Sequence, residues 1–149
     1  MSKIAKHSGK KRRNCAGFYI SAAAAALGLV GGIVFNTGFS IPAYAEYYSV
    51  TPLICAIIGA VAYAAMSVTA FTANLAPKVL FITTLVEFLS FVSCSYMYLS
   101  GVFYSGVSLE TIQMIDPVYL TSAVTMLLAF VLANVAFWCK QVESEENAA

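Results

Sequence analysis

Charge is what this sequence has least of. Of its 149 residues 10% are charged and 60% are hydrophobic. Soluble domains carry about 25% charged residues. So few charges cannot cover a water-facing surface, which excludes an ordinary soluble fold and makes lipid the expected solvent. The mean hydropathy of +0.82 agrees. Histidine is nearly absent too, with His7 alone. The four cysteines, Cys15, Cys55, Cys94 and Cys139, make no CxxC pair. Metal-ligand clusters and thioredoxin-like redox motifs are therefore excluded. Thiols spread one per apolar segment read as small buried hydrophobes. Cys55 and Cys94 both fall in the outer half of the expected membrane, where a disulfide is feasible but nothing in the spacing requires one. The chain also lacks an HExxH motif, clustered carboxylates within its apolar runs and a phosphate-cradling loop. The expectation is a protein that is not an enzyme and takes no cofactor or metal.

Long apolar runs are what the sequence has. A spanning helix needs about 20 mostly apolar residues, and four such runs lie near 15–36, 52–73, 78–101 and 117–139. None alternates as a barrel strand would, and open sheet edges are not tolerated in hydrocarbon. The expected fold class is an all-α membrane protein: four transmembrane helices in an up-down bundle. Residues 1–14 form a basic tail, 15–139 the transmembrane domain and 140–149 an acidic tail. Proline marks the starts. Thr51-Pro52 and Asp116-Pro117 each pair a capping side chain with a proline at the first helical position. Pro77 follows the short "NLAPK" turn.

The basic residues set the orientation. Lys3, Lys6, Lys10, Lys11, Arg12, Arg13, Lys78 and Lys140 all fall on one side, which places both termini in the cytoplasm. The two outer loops carry Glu46, Glu110 and Asp116 instead. "AYA" at 43–45 resembles a signal-peptidase site, but the apolar run from Ala16 to Phe35 exceeds an h-region of about 7–15 residues. An uncleaved first helix is expected. The basic tail reads as a topology determinant resting on anionic headgroups, not as a nucleic-acid site. The short tails and loops suit a bacterial cytoplasmic membrane.

"FNTGFSI" at 35–41 and "FYSGVSL" at 103–109 share a pattern at an offset of 68. Read as homologous, they imply a parallel duplicated hairpin with a tight glycine turn and a serine-capped interfacial piece in each copy. Read as coincidence, they reflect the common use of Gly and Ser at loop exits.

Apolar burial does not join helices in lipid; close approach through small residues does. Ala24, Gly28 and Gly32 form such a stripe in the first run, Ala56, Ala60 and Ala64 in the second, and Ala129 and Ala133 in the fourth. They serve either the bundle itself or contact with a second copy or a larger membrane partner. Tyr44, Tyr47, Tyr48, Tyr96, Tyr98, Tyr104 and Tyr119 gather at the outer end. They read as an aromatic belt, or as an outer cup in which Tyr47, Tyr48 and Tyr104 join Glu46, Glu110 and Asp116 around a cation.

Glu87 stands apart from all this. It lies nine residues beyond Lys78, about 13 Å deep, in the middle of "FITTLVEFLSF". Thr83, Thr84 and Ser90 share its helix face, and Tyr63, Ser67, Thr125 and Asn134 lie at matching depth. Apart from Lys78 at the very start of the third, no Lys, Arg or His lies within any of the runs. An isolated carboxylate in hydrocarbon costs several kcal/mol. Glu87 is therefore protonated and hydrogen-bonded to a partner such as Tyr63, or ionised in trapped water, or bound to a cation. Intramembrane acids are functional candidates by default. Two functions follow: an interaction, accessory or scaffold subunit of a membrane complex, or a small oligomeric transporter or channel with Glu87 as its proton or cation site.

Overall fold

The computed structural model describes residues 12–104 and 106–144. The lysines of the N-terminal tail, Glu145 and Glu146 lie outside the described residues. The protein is helical: α1 (Ala16–Phe39), α2 (Thr51–Ser67), α3 (Ala70–Ala73), α4 (Ala76–Val102), α5 (Leu109–Gln113) and α6 (Pro117–Trp138), with a 3₁₀ turn at Pro42–Tyr47. Three of these helices, α1, α4 and α6, are long and apolar enough to cross a membrane. The second expected run divides. α2 stops at Ser67, and the chain turns at Thr69, whose side chain accepts from Thr72 N–H and starts the one-turn α3. Two three-residue strands, β1 (Arg12–Asn14) and β2 (Val142–Ser144), which no pattern in the tails predicts, pair antiparallel.

α1 packs against α6 and α2, and α4 closes the circle between α2 and α6. Neighbours run antiparallel: Gly31 of α1 meets Met126 of α6, Gly32 of α1 meets Leu53 and Ala56 of α2, and Gly59 of α2 meets Thr83 of α4. The buried positions explain the geometry. In α6 they are Tyr119, Ser122, Met126, Ala129, Ala133 and Ala136. In α4 they are Leu80, Thr84, Glu87, Phe91, Ser95 and Tyr98. Steps of three and four alternate in α6 and are mixed in α4, which keeps each set on one face for knobs-into-holes packing. The buried face of α2 follows the same rule through Pro52, Ala56, Gly59 and Tyr63. The expected stripe of Ala56, Ala60 and Ala64 is thereby corrected: Ala60 is half-buried and Ala64 exposed. Repeated steps of four drift off one face of a helix with 3.6 residues per turn. Gly28, Gly32 and Ala56 are all spent inside the helical core.

Two local expectations also change. Thr51 does not cap α2. It is the first helical residue, and its own N–H is received by Ser49 Oγ at 3.2 Å. Asp116 does cap α6, accepting Val118 N–H at 2.7 Å. The two glycine motifs are not equivalent. Gly38 is helical, inside α1, and faces Val118. Gly106 has φ +104 and makes a turn that other residues rarely adopt. Ser40 merely ends α1, whereas Ser108 starts α5 with a capping box to Thr111.

Candidate functional site

Glu87 points to the middle of the helical core and is 1% exposed. Across from it lies Gly28 of α1. A methyl group at Gly28 would sit 2.9 Å from Glu87 Oε2 and 3.6 Å from Oε1. α1 and α4 are not perimeter neighbours and touch sparingly. The carboxyl therefore reaches across the core and rests where α1 has no side chain. The depths match: Gly28 is 12 residues into α1 from Ala16, and Glu87 is 11 into α4 from Ala76. That match was readable in the sequence, where Gly28 was identified as a packing residue only. Among the described residues neither carboxylate oxygen of Glu87 has a hydrogen-bond partner.

The polar residues expected around Glu87 turn elsewhere. Tyr63 is buried, but its hydroxyl donates to the Phe18 carbonyl of α1 at 2.8 Å. Thr84 Oγ1 donates to Leu80 O at 2.9 Å and Thr83 Oγ1 to Leu80 O at 3.0 Å. Ser67 donates to Tyr63 O and Thr125 to Thr121 O. Ser90 is half-buried and, with Thr51, Ser93 and Cys94, lines an outward groove of about 320 Å³ between α2 and α4. Asn134 is exposed on α6. Matching depth does not ensure a shared face. A hydroxyl on a helix also finds a carbonyl three or four residues back, at a distance its own helix fixes.

The outer cup is a filled cluster rather than a cup. Phe39 stacks on Tyr44 with ring centres 4.6 Å apart and meets Tyr98 edge-on at 5.5 Å. Phe35 meets Phe39 at 5.1 Å and Phe91 at 5.2 Å, and Tyr98 meets Tyr119 at 5.2 Å. Tyr47 packs on Tyr98, and the Tyr48 hydroxyl donates to Asn36 Oδ1. Tyr104, by contrast, is 93% exposed and takes no part. Glu46 and Glu110 are exposed as well, and only Asp116 of the three acids is joined to the rings.

That junction is polar and specific. Asp116 Oδ2 receives the Tyr44 hydroxyl at 3.1 Å, while Asp116 N–H donates to the Tyr98 hydroxyl oxygen at 2.8 Å. The hydrogen bond to the Asp116 carboxylate, reinforced by burial, raises the Tyr44 phenol above its ordinary 10.0. Losing the phenolic proton would set two anions side by side. The stabilisation is thus present in full below the ordinary tyrosine range and is lost as pH rises through the folded value. Ultraviolet titration of tyrosinate in detergent micelles should lose one component above that range in Tyr44→Phe. The same component should move down in Asp116→Asn. Titration curves identical to wild type in both variants would contradict the assignment.

The opposite end of the core is closed by Gln141, a residue of the expected acidic tail. It is 1% exposed. Ser21 Oγ donates to its Oε1 at 3.1 Å, its Nε2 donates to Ala136 O and Cys139 O, each at 3.2 Å, and its carbonyl receives Cys15 N–H at 2.9 Å. Gly17 makes the room, because a methyl there would lie 2.5 Å from Gln141 Nε2. A polar residue one step beyond an apolar run gives no signal of its own. The hint was a glycine at the facing end of the first run.

The cysteines are free thiols, all half-buried, and the described residues contain no group of three or more His, Cys, Asp and Glu fit to hold a metal. No protein family model, curated protein or solved structure matches the chain.

Proposed function

We propose that this is an integral protein of a bacterial cytoplasmic membrane that crosses it four times as an up-down four-helix bundle, with both termini in the cytoplasm. Within the membrane it acts as an interaction, accessory or scaffold subunit of a larger complex. With 17 residues, α2 sits at the short end of the spanning range. It runs antiparallel to α1 and α4, both of which are long enough to span. The placement of Lys and Arg supports the orientation.

The observation that carries the functional reading is side-chain packing at three levels of the centre. Rings from Phe35 to Tyr119 occupy one end, Glu87 and Gly28 the middle, and Gln141 with Ser21 the other. A chain packed this way is built to present surfaces rather than to pass a solute along its own axis. Because Gly28, Gly32 and Ala56 are used internally, a partner would meet the outward faces, such as the Thr51–Ser93 groove. Affinity purification of the tagged protein in mild detergent should recover a larger partner in fixed ratio. Purified vesicles should show no flux. Recovery of this chain alone, with flux that Glu87→Gln abolishes, would overturn the reading.

A second reading, a small oligomeric transporter, is favoured by one observation: the two unpartnered oxygens of Glu87.

A further inference from the structure

Among the carboxylates whose side chains are described, Glu46 and Glu110 are exposed and Asp116 caps a helix. Glu87 alone is sealed in, and the surroundings restrict what it can hold. A bound Ca²⁺ or Mg²⁺ needs about six oxygen ligands. Glu87 supplies two, and the group opposite is a glycine whose added methyl would already touch Oε2 at 2.9 Å. The Thr83 and Thr84 hydroxyls are committed to backbone carbonyls, and the Tyr63 hydroxyl to Phe18. An organic ammonium is larger still and would have to displace α1. A bare carboxylate buried there, 1% exposed and with no hydrogen-bond partner among the described residues, has nothing in the core to offset its desolvation.

From this geometry we infer that Glu87 is a proton-binding site, its carboxyl holding an exchangeable proton against the bare backbone of Gly28. The packed elements bring few other titratable groups. α1 brings Gly28, with none beside it. α2 brings Cys55, a half-buried thiol, and Tyr63, whose hydroxyl donates to Phe18 O. The buried face of α6 brings only Tyr119, toward the aromatic end. On α4 itself the next titratable residue of the buried face is Tyr98. No basic side chain faces Glu87 from α1, α2, α4 or α6. The inference is separate from the interaction reading, and of the transport reading it names the ion.

Infrared spectroscopy of the full-length protein in phosphatidylcholine–phosphatidylglycerol vesicles tests it. The wild-type minus Glu87→Gln difference spectrum at neutral pH should contain one protonated-carboxyl carbonyl band. That band should shift in D₂O and disappear at alkaline pH. Addition of sodium or calcium chloride at constant pH should leave it unchanged. No such band in folded protein, a band that alkali does not remove, or one that sodium or calcium abolishes would each overturn the proposal. Circular dichroism on both proteins confirms that the comparison is between folded states. Partner recovery is not read by this experiment, so its failure would leave the interaction reading standing.

Discussion

Phe39→Ala is expected to destabilise the helical core by about 3–5 kcal/mol, the range for truncating a buried phenylalanine. Phe39 is fully buried and meets the rings of Phe35, Tyr44, Tyr98 and Tyr119. Those four rings belong to α1, the 3₁₀ turn, α4 and α6. One ring therefore holds three helices and the segment that crosses their end. Aromatic pairs contribute about 0.5–1.5 kcal/mol each beyond the area they bury. In a membrane, tight packing matters more than apolarity, because lipid offers apolar surface everywhere. Phe39→Leu should recover part of the loss by filling some of the volume. Thermal unfolding in a mild detergent measures both. A Phe39→Ala midpoint within error of wild type would mean that the ring cluster does not hold the helices together.

Glu87→Lys should be far worse tolerated than Glu87→Gln. Glutamine keeps the shape and is neutral. A lysine at the centre of a spanning helix costs about 2.5–3.5 kcal/mol. It would face Gly28 with no acid inside the core to receive it. The expected result is a Gln variant that elutes as a monodisperse species at near wild-type yield. The Lys variant should lose most of its folded material on fluorescence-detected size-exclusion chromatography. Equal yields would mean that water or a counter-charge reaches position 87. The description of Glu87 as buried, with no hydrogen-bond partner among the described residues, would then fall.

The general architecture was open to reading because hydrophobicity and punctuation agree. Runs of apolar residues set the helices, and Asp116-Pro117 starts α6 as its chemistry suggests. What escaped was the choice of face. α2 is rich in alanine all round, so composition could not separate Ala60, half-buried, from Gly59, which touches Thr83. The tyrosines posed the same problem: Tyr98 is buried and Tyr96 exposed, two residues apart on one helix. Thr51-Pro52 and Asp116-Pro117 look alike as letters, but only Asp116 receives a helical N–H, whereas Thr51 is already the first residue of its helix. At the candidate site, the glutamate and its depth were evident. Its neighbour was not, because a glycine opposite an acid attracts attention only once the helices are placed. The prolines and the positive residues speak to topology; the side-chain pairings across the core depend on rotations that no single helix encodes.

Of the described helices α1 is made before the others and α6 after them, yet these two form the most extensive pairing. Ser21 meets its acceptor only when Gln141 has been made, and Cys15 N–H waits for the same residue. A nascent chain arrested before position 141 thus keeps the early face of α1, with Gly17 and Ser21, unmatched. Gln141 thus acts as a clasp that ties the segment after α6 back to the start of α1.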